Sequence, residues 1–390
     1  MHQDRPAALV TGDVGAPRVA LDVSAIPARP AGAGVYVVEL VRALAGAGAV
    51  DLSLVARRDD ASRWQALAPG AEVAAVAPGR RPLRLAWEQA WPLASSARLG
   101  RAVWHGPHYT LPLLLRGPKV VTVHDLTFFD NPEWHERAKV AYFTRMIRAS
   151  GSRADAIVCV SHRTADRLRE LLAPTAPVSA IPHGVDHERF APEAVGGPDR
   201  DLALLAGLGI RPPFVVFYGT LEPRKAVPGL VRAFSAVASG HPDLTLVLAG
   251  RPGWGAQEVD AAIAASGLAE RILRPGYVDA EVVPALLRSS SAAVYAPFAE
   301  GFGLPALEAL ACGAPLITTE ATPMADLSAG AALTVPPGDE AALAEAIEAT
   351  LAGGPEVAAR RSRGPALAAP WTWARCAASH VEVYRRALSR

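Results

Sequence analysis

Short apolar runs of strand length alternate with longer segments of helical period along the chain. Residues 19–23, 52–56, 102–104, 120–123, 156–160 and 178–181 have the length and apolar content of buried strands. Between them, residues 34–44 set Val38, Val41 and Leu44 on one helical stripe, and 138–149 and 163–172 repeat the helical period. The rhythm breaks at 191–212, where Pro192, Gly196, Gly197, Pro198, Pro212 and Pro213 punctuate a polar stretch. It then restarts. Strands are expected at 214–218, 244–249, 272–274, 293–295, 315–318 and 333–335, with helices at 227–238, 257–265, 281–289, 305–311 and 340–351. A last amphipathic helix, 373–389, follows a Pro- and Gly-rich stretch. Strands alternating with helices predict the α/β class, with two Rossmann-like, doubly wound parallel sheets. Such units in tandem face each other across a cleft at the carboxyl ends of both sheets. The expected organisation is a first domain over 1–190, a linker over 191–212, a second domain over 213–372, and a terminal helix over 373–390 that packs back on the first.

A length of 390 residues suits two domains. The 39 basic and 38 acidic residues nearly cancel, to a net charge of +1. That excludes the basic footprint of a dedicated nucleic-acid binder and the acidic composition of a solvating tail. Cys159, Cys312 and Cys376 lie far apart, without metal-ligand spacing or a disulfide framework, which fits a reducing compartment. Residues 1–18 lack the apolar core of a signal peptide, and no window of eighteen residues is both apolar and uncharged. A cytoplasmic protein is expected. A slight basic excess in the first half leaves peripheral attachment to the inner face of a membrane open.

The segment Glu300-Gly-Phe-Gly-Leu-Pro-Ala-Leu-Glu308 sets two carboxylates seven residues apart around a glycine-rich turn. Pro305 suits the start of a helix, because its missing N–H is unneeded there. This places Glu308 in the first helical turn and Glu300 in the loop before it. Gly301 and Gly303 free the backbone for close approach to a ligand. Unpaired N–H groups of Gly301, Phe302, Gly303 and Leu304 then suit a phosphate. Carboxylates beside it suit sugar hydroxyls, since each accepts two hydrogen bonds. Gly219-Thr-Leu-Glu-Pro-Arg-Lys225 follows the strand at 214–218. Arg224 and Lys225, opening the next helix, can clamp a diphosphate and neutralise it as it leaves.

In the first half, the strand at 120–123 runs directly into His124 and Asp125. Polar groups at the carboxyl end of a buried strand face the cleft. His124 is expected to meet the ligand; Asp125 either joins the acceptor contacts or props its own loop. Trp104-His-Gly-Pro-His-Tyr-Thr110 is rich in imidazoles and aromatic faces. His105, His108 and Tyr109 are read as part of an acceptor wall, with a packed loop as the alternative. Gly32-Ala-Gly34 is a weak sign of a phosphate loop. Arg84, Trp87, Trp91 and Arg98 lie in one stretch, where core packing is favoured over a membrane interface. Three signals are set aside. Asp199-Arg-Asp201 is an acidic triplet in the linker without a second acidic cluster. His183 and His187 are spaced for a metal on a helix, but Pro182 and Gly184 make that segment a loop. Ser161 stands at a helix start and reads as a cap rather than a nucleophile. No metal site is expected.

Taken together, these residues resemble retaining glycosyltransferase family 4, on the two-domain GT-B fold, over nearly the whole chain. The resemblance rests on the 219–225 stretch, the Pro275-Gly-Tyr-Val278 turn, the paired-glutamate motif and Ala311-Cys-Gly-Ala-Pro-Leu-Ile317. In the first half it rests on Gly32-Ala-Gly-Val-Tyr36, Thr122-Val-His-Asp125 and Ile181-Pro-His-Gly-Val-Asp186. It implies that Glu308 holds the donor ribose hydroxyls, and that Glu300 with the backbone of Gly301, Phe302, Gly303 and Leu304 holds the transferred sugar. Arg224 and Lys225, with Gly219 and Thr220 beside them, would bind the diphosphate. Tyr277 and Val278 would meet the nucleobase, and Arg251 would line the donor cleft. The Gly34 loop would approach the phosphates, and His124 the transferred sugar. Val35 stands where relatives often carry a basic residue, Ala226 where Asn is common, and Ala296-Pro297 where Pro-Ser is more usual.

The implied activity is a retaining, metal-independent hexosyl transfer without a cofactor, the nucleoside-diphosphate sugar being a co-substrate. Mannose from GDP-mannose is favoured, with UDP-hexoses next. The acceptor would be a glycan, a lipid-linked molecule or a small molecule. A sugar phosphorylase, a nucleotide-sugar epimerase or a catalytically silent binding module would share part of the site.

Overall fold

A parallel sheet covered on both faces needs apolar residues at nearly every strand position, and the runs in this chain supply them. The computed structural model describes residues 15–94 and 102–390. Its first sheet has seven parallel strands: β1 (Arg18–Asp22), β2 (Asp51–Arg57), β3 (Glu72–Ala77), β4 (Val103–Gly106), β5 (Lys119–Val123), β6 (Ala156–Cys159) and β7 (Val178–Ala180). Their order is β3-β2-β1-β4-β5-β6-β7. The second sheet has six: β8 (Phe214–Tyr218), β9 (Thr245–Ala249), β10 (Ile272–Gly276), β11 (Ala292–Tyr295), β12 (Leu316–Thr319) and β13 (Ala332–Val335). Their order is β10-β9-β8-β11-β12-β13. Every residue of β4, β5, β6, β11 and β12 is buried. Each sheet reverses its winding beside its first strand, where β1 pairs with β2 and β4, and β8 with β9 and β11. Ligands gather outside the carboxyl ends of strands at such switch points.

The two doubly wound sheets match the sequence expectation, with local differences. Strand β3 is an addition. It is a half-exposed edge strand and lacks the continuous apolar run of a buried one. The 191–212 stretch contains a helix, Pro198–Ala206, that buries Asp201. Asp201 pairs with Arg288 at 2.7 Å, so the acidic triplet has a structural role. The Pro- and Gly-rich stretch before the terminal helix is itself a helix, Pro355–Ala368. Its Gly364 lies against the helix Leu304–Ala311, where a Cβ would sit 2.7 Å from the Leu310 carbonyl oxygen. A residue that reads as a loop signal here permits close helix packing. In the helix Arg81–Ala94, Trp87 and Trp91 stack at 5.1 Å and pack with Trp104. Arg98 and residues 1–14 lie outside the described residues. Among the described residues no helix is long and apolar enough to cross a membrane.

The terminal helix Trp373–Leu388 lies on the helix Ala33–Ala47 and sends Cys376, Val381, Tyr384 and Ala387 into the first domain's core. A one-directional chain of hydrogen bonds ties it down. The Tyr384 hydroxyl donates to His105 Nδ1 (2.8 Å), and His105 Nε2–H donates to the Thr122 hydroxyl (2.9 Å). Thr122 donates to the Tyr36 oxygen (3.0 Å), Tyr36 donates to His380 Nε2 (2.9 Å), and His380 Nδ1–H ends on the Cys376 carbonyl (2.8 Å). The direction follows from that last oxygen, which can only accept. The chain closes only with both imidazoles neutral. Burial holds His105 well below the ordinary histidine range and His380 at about 4. The acceptor role expected of His105 is therefore corrected: it is 0 % exposed and the fold uses both its ring nitrogens.

Ala226 stands between the turn Pro223–Lys225 and the helix Val227–Ala238 with φ 53°, a left-handed conformation that strains a Cβ. Ala226→Gly is expected to raise stability by roughly 0.5–1 kcal/mol, seen as a higher urea midpoint at unchanged slope. Native His380 refuses the proton that an unfolded histidine accepts, so its stabilisation is complete above the ordinary histidine pKa. It declines as pH falls toward about 4. The stability gap between the wild type and His380→Gln should accordingly narrow over that window by about 1.4 kcal/mol per pH unit. Urea titrations at several pH values measure it.

Candidate active site

Glycines draw the carboxyl ends of β8, β9 and β10 together. Gly219 N–H donates to the Ala249 carbonyl (2.8 Å) and Gly250 N–H to the Gly276 carbonyl (2.7 Å). A Cβ on Gly250 (φ 153°) would lie 1.8 Å from the Gly219 oxygen. The turn carrying Arg224 and Lys225 follows, and Arg224's carbonyl accepts from Phe298 N–H (2.9 Å), which brings the loop ahead of Glu300 alongside.

Glu300 is the centre of the cluster. Its Oε2 accepts from Arg224 Nη1 (3.1 Å), Tyr295 Oη (2.9 Å) and Lys225 Nζ, and its Oε1 faces Gly301 N–H (3.2 Å). Lys225 also donates to the Tyr295 hydroxyl and lies 4.7 Å from the centre of that ring. Burial alone would raise the Glu300 pKa, but Arg224 and Lys225 outweigh it and hold the carboxylate well below its usual range. Burial and the adjacent Arg224 charge hold Lys225 below the ordinary lysine range, against the pull of Glu300. Burial opposes the Arg224 charge too, but Glu300 and Glu222 hold it above its usual range. The sequence sets the cations opposite Glu300; the fold pairs them with it. Thr220 is partly exposed beside them.

The helix carrying Glu308 begins at Leu304, which moves Glu308 into its second turn rather than the expected first. Glu308 is 8 % exposed, and its Oε2 has no partner among the described residues. Burial pushes it up to about 8, with Arg189 opposing and Glu39 adding. Gly301 and Gly303, expected to admit a ligand, admit protein instead. A Cβ on Gly301 would lie 1.8 Å from the His124 carbonyl oxygen, and one on Gly303 2.1 Å from Met324 Cγ. Phe302 is buried edge-on to His183 (4.6 Å). His124 thus stands across the cleft from the glutamate motif. It is 7 % exposed and its Nε2–H donates to the Pro107 carbonyl (2.8 Å), which leaves Nδ1 to accept. Burial holds it below its ordinary pKa.

The remaining first-domain residues divide. Asp125 props its own loop: Oδ1 accepts from the Thr127 hydroxyl (2.7 Å) and Thr127 N–H (3.2 Å). Tyr109 is 5 % exposed, has φ 65°, and accepts from Asp125 N–H (3.2 Å), so it shapes the same loop. Of the two readings open for each, these contacts favour the support of the His124 loop. His108 is partly exposed and packs against the His124 ring (5.6 Å), with burial holding it at about 3. Gly34 lies in the first turn of its helix, where a Cβ would meet Pro30 at 3.0 Å.

Arg251, Tyr277 and Val278, expected from the sequence, lie together, and a first-domain residue joins them. The exposed Arg251 lies 4.7 Å from the Tyr277 ring centre, and Arg29 of the first domain lies 5.5 Å from the same ring. Val278, next to Tyr277, packs on the second core. Trp134 stacks on Phe298 across the cleft (5.7 Å), and Arg163 pairs with Asp326 (2.8 Å). Arg29, Trp134, Phe298, Arg163 and Asp326 escaped the sequence reading, because each of their contacts is set by the docking of the two sheets. Tyr295 carried a signal, as the last residue of a buried strand.

Comparison with known proteins agrees with this geometry. The model of glycosyl transferases group 1 matches residues 207–365, and that of glycosyltransferase family 4 matches residues 30–189. The O-antigen chain mannosyltransferase B of Escherichia coli is 28% identical over 286 residues, 73% of this chain and 74% of that enzyme. A GDP-mannose-dependent alpha-(1-6)-phosphatidylinositol monomannoside mannosyltransferase of Mycolicibacterium smegmatis is 30% identical over 228 residues, 55% of this chain and 57% of that protein. Among solved structures, sucrose-phosphate synthase from Thermosynechococcus elongatus superposes with a TM-score of 0.77 at 21% identity, covering 96% of this chain and 99% of that one. The paired parallel sheets are the GT-B fold, and the chain belongs to the group 1 glycosyltransferases of family 4.

Proposed function

We propose that this protein moves a hexose, with mannose favoured, from a nucleoside-diphosphate sugar to an acceptor hydroxyl. The anomeric configuration is retained, and neither metal nor cofactor takes part. The observation that carries the reading is the gathering of Arg224, Lys225 and Tyr295 on Glu300 at the carboxyl ends of β8 and β11. A donor diphosphate entering there meets two cations and the positive end of the Leu304–Ala311 helix. These groups stabilise charge as it develops on the leaving phosphate. That phosphate can take the acceptor proton from the face it leaves, which accounts for retention without a covalent intermediate. Glu308, with its unpartnered oxygen, suits the ribose hydroxyls. Neutral His124 suits a hydroxyl of the transferred sugar. The names of the two mannosyltransferase relatives support mannose, and the second supports GDP as the nucleotide. The acceptor, a glycan, a lipid-linked molecule or a small molecule, would bind the first domain.

Lys225→Ala should lower transfer about 100-fold or more, the usual scale for losing one charge-stabilising donor. Glu308→Ala should raise the donor KM at least tenfold while circular dichroism stays native. Unchanged rates in both would remove these residues from the site. A panel of GDP- and UDP-sugars followed by nucleotide release is expected to rank GDP-mannose first and to be indifferent to EDTA. NMR of the product should show the donor's anomeric configuration; an inverted product excludes the scheme.

A further inference from the structure

The first domain holds a second set of buried polar groups that the donor site does not use. Ala20 of β1 pairs in register with Trp104 of β4 and packs against it. Side chains two residues apart share a sheet face, so Asp22, the last residue of β1, lies on that face at its carboxyl end. The helix Arg81–Ala94 covers the same face, with Trp91 at 6.3 Å from Trp104, and brings Glu88 over it. Glu88 is 5 % exposed and Asp22 8 %. Asp22 Oδ1 accepts from Ser24 N–H (2.9 Å). Among the described residues, Glu88 Oε1, Trp104 Nε1 and the Tyr142 hydroxyl are buried without a partner. Tyr142, on the helix Arg137–Arg153, packs with the cluster of Val121, which shares the Trp104 face because Trp104 pairs in register with Lys119. Burial raises the Tyr142 pKa with Glu88 adding to it, and burial pushes Glu88 up to about 8 with Asp22 adding to it and Thr110 and Arg84 opposing. Yet no hydrogen bond joins Tyr142 to Glu88.

Buried polar groups normally find partners, so three unpaired ones on one face point to a ligand. A carboxyl, a phenol and an indole N–H together complement a group that both donates and accepts, which describes an alcohol. The stacked Trp87 and Trp91 beside them, both partly exposed, offer flat apolar faces suited to the C–H face of a sugar ring. Arg84 of the same helix acts on both carboxyls and offsets their charge, which leaves a lining suited to a neutral ligand. We propose that Asp22, Glu88 and Tyr142 form an acceptor subsite that holds a hydroxyl of a neutral sugar. The inference rests on the transferase reading above.

The test uses the full chain with GDP-mannose and a panel of methyl α-mannoside, methyl α-glucoside, α-1,3-mannobiose and mannose 6-phosphate. Nucleotide release and product mass are followed together. A neutral sugar should be the best acceptor. Glu88→Gln and Tyr142→Phe should each raise its KM tenfold or more while the donor KM stays within twofold. A wild-type acceptor KM in both variants overturns the subsite, as does a preference for mannose 6-phosphate or donor hydrolysis with no neutral sugar used. Should Glu88→Gln fail to fold, Tyr142→Phe on the helix Arg137–Arg153 carries the same test. Neither hydrolysis nor transfer with any GDP- or UDP-sugar overturns the transferase reading, and the subsite with it.

Discussion

Glu300 is a carboxylate taken largely out of water, its side chain only 12 % exposed. It survives there as an anion because Arg224, Lys225 and Tyr295 all donate to one of its oxygens. Removing one partner from such a cluster would leave uncompensated charge in a low-dielectric setting. The requirement reaches into the backbone. Arg224 and Lys225 must leave β8 on a tight turn, Tyr295 must end β11, and the loop holding Glu300 must bond back to Arg224. The winding order that sets β8 beside β11 makes this meeting possible.

The same charge logic is inverted on the other side of the cleft. His105, His108, His124, His183 and His380 are held below their ordinary pKa mainly by burial. Neutral imidazoles can both donate and accept. The first domain uses that property to dock the terminal helix through His105 and His380 and to aim His124 from Pro107. The charged cluster on Glu300 thus comes from the second domain, and neutral imidazoles from the first. Where the two sides meet, Gly301 lies so near the His124 carbonyl that no side chain fits.

Much of this was legible in the chain. Apolar runs bounded by turn residues located twelve of the thirteen strands among the described residues; β3 was missed because an edge strand needs no continuous apolar run. The paired glutamates, Arg224 and Lys225 stood out because charges beside glycines at strand ends have few structural uses. His105 misled for the opposite reason. A histidine in an aromatic, polar segment looks the same whether it faces a ligand or a partner hydroxyl from residue 384. Gly364 and Pro365 misled as loop signals, since the helix surface that accommodates Gly364 lies more than fifty residues away in the chain.

What the sequence determined by itself was local: where strands and helices fall, that there are two α/β units, and which charged motifs lie at strand ends. Periodicity and turn chemistry depend on neighbours a few residues apart, so one chain suffices to read them. What only the tertiary structure decided was pairing. It decided that Glu300 takes the two cations to itself, that Asp125 and Tyr109 serve their own loop, and that Tyr384 satisfies His105. It also decided that Glu88 Oε1, Trp104 Nε1 and the Tyr142 hydroxyl are buried without a partner among the described residues. A polar side chain's role depends on which partner burial brings within hydrogen-bond reach. Those partners here stand up to 344 positions apart.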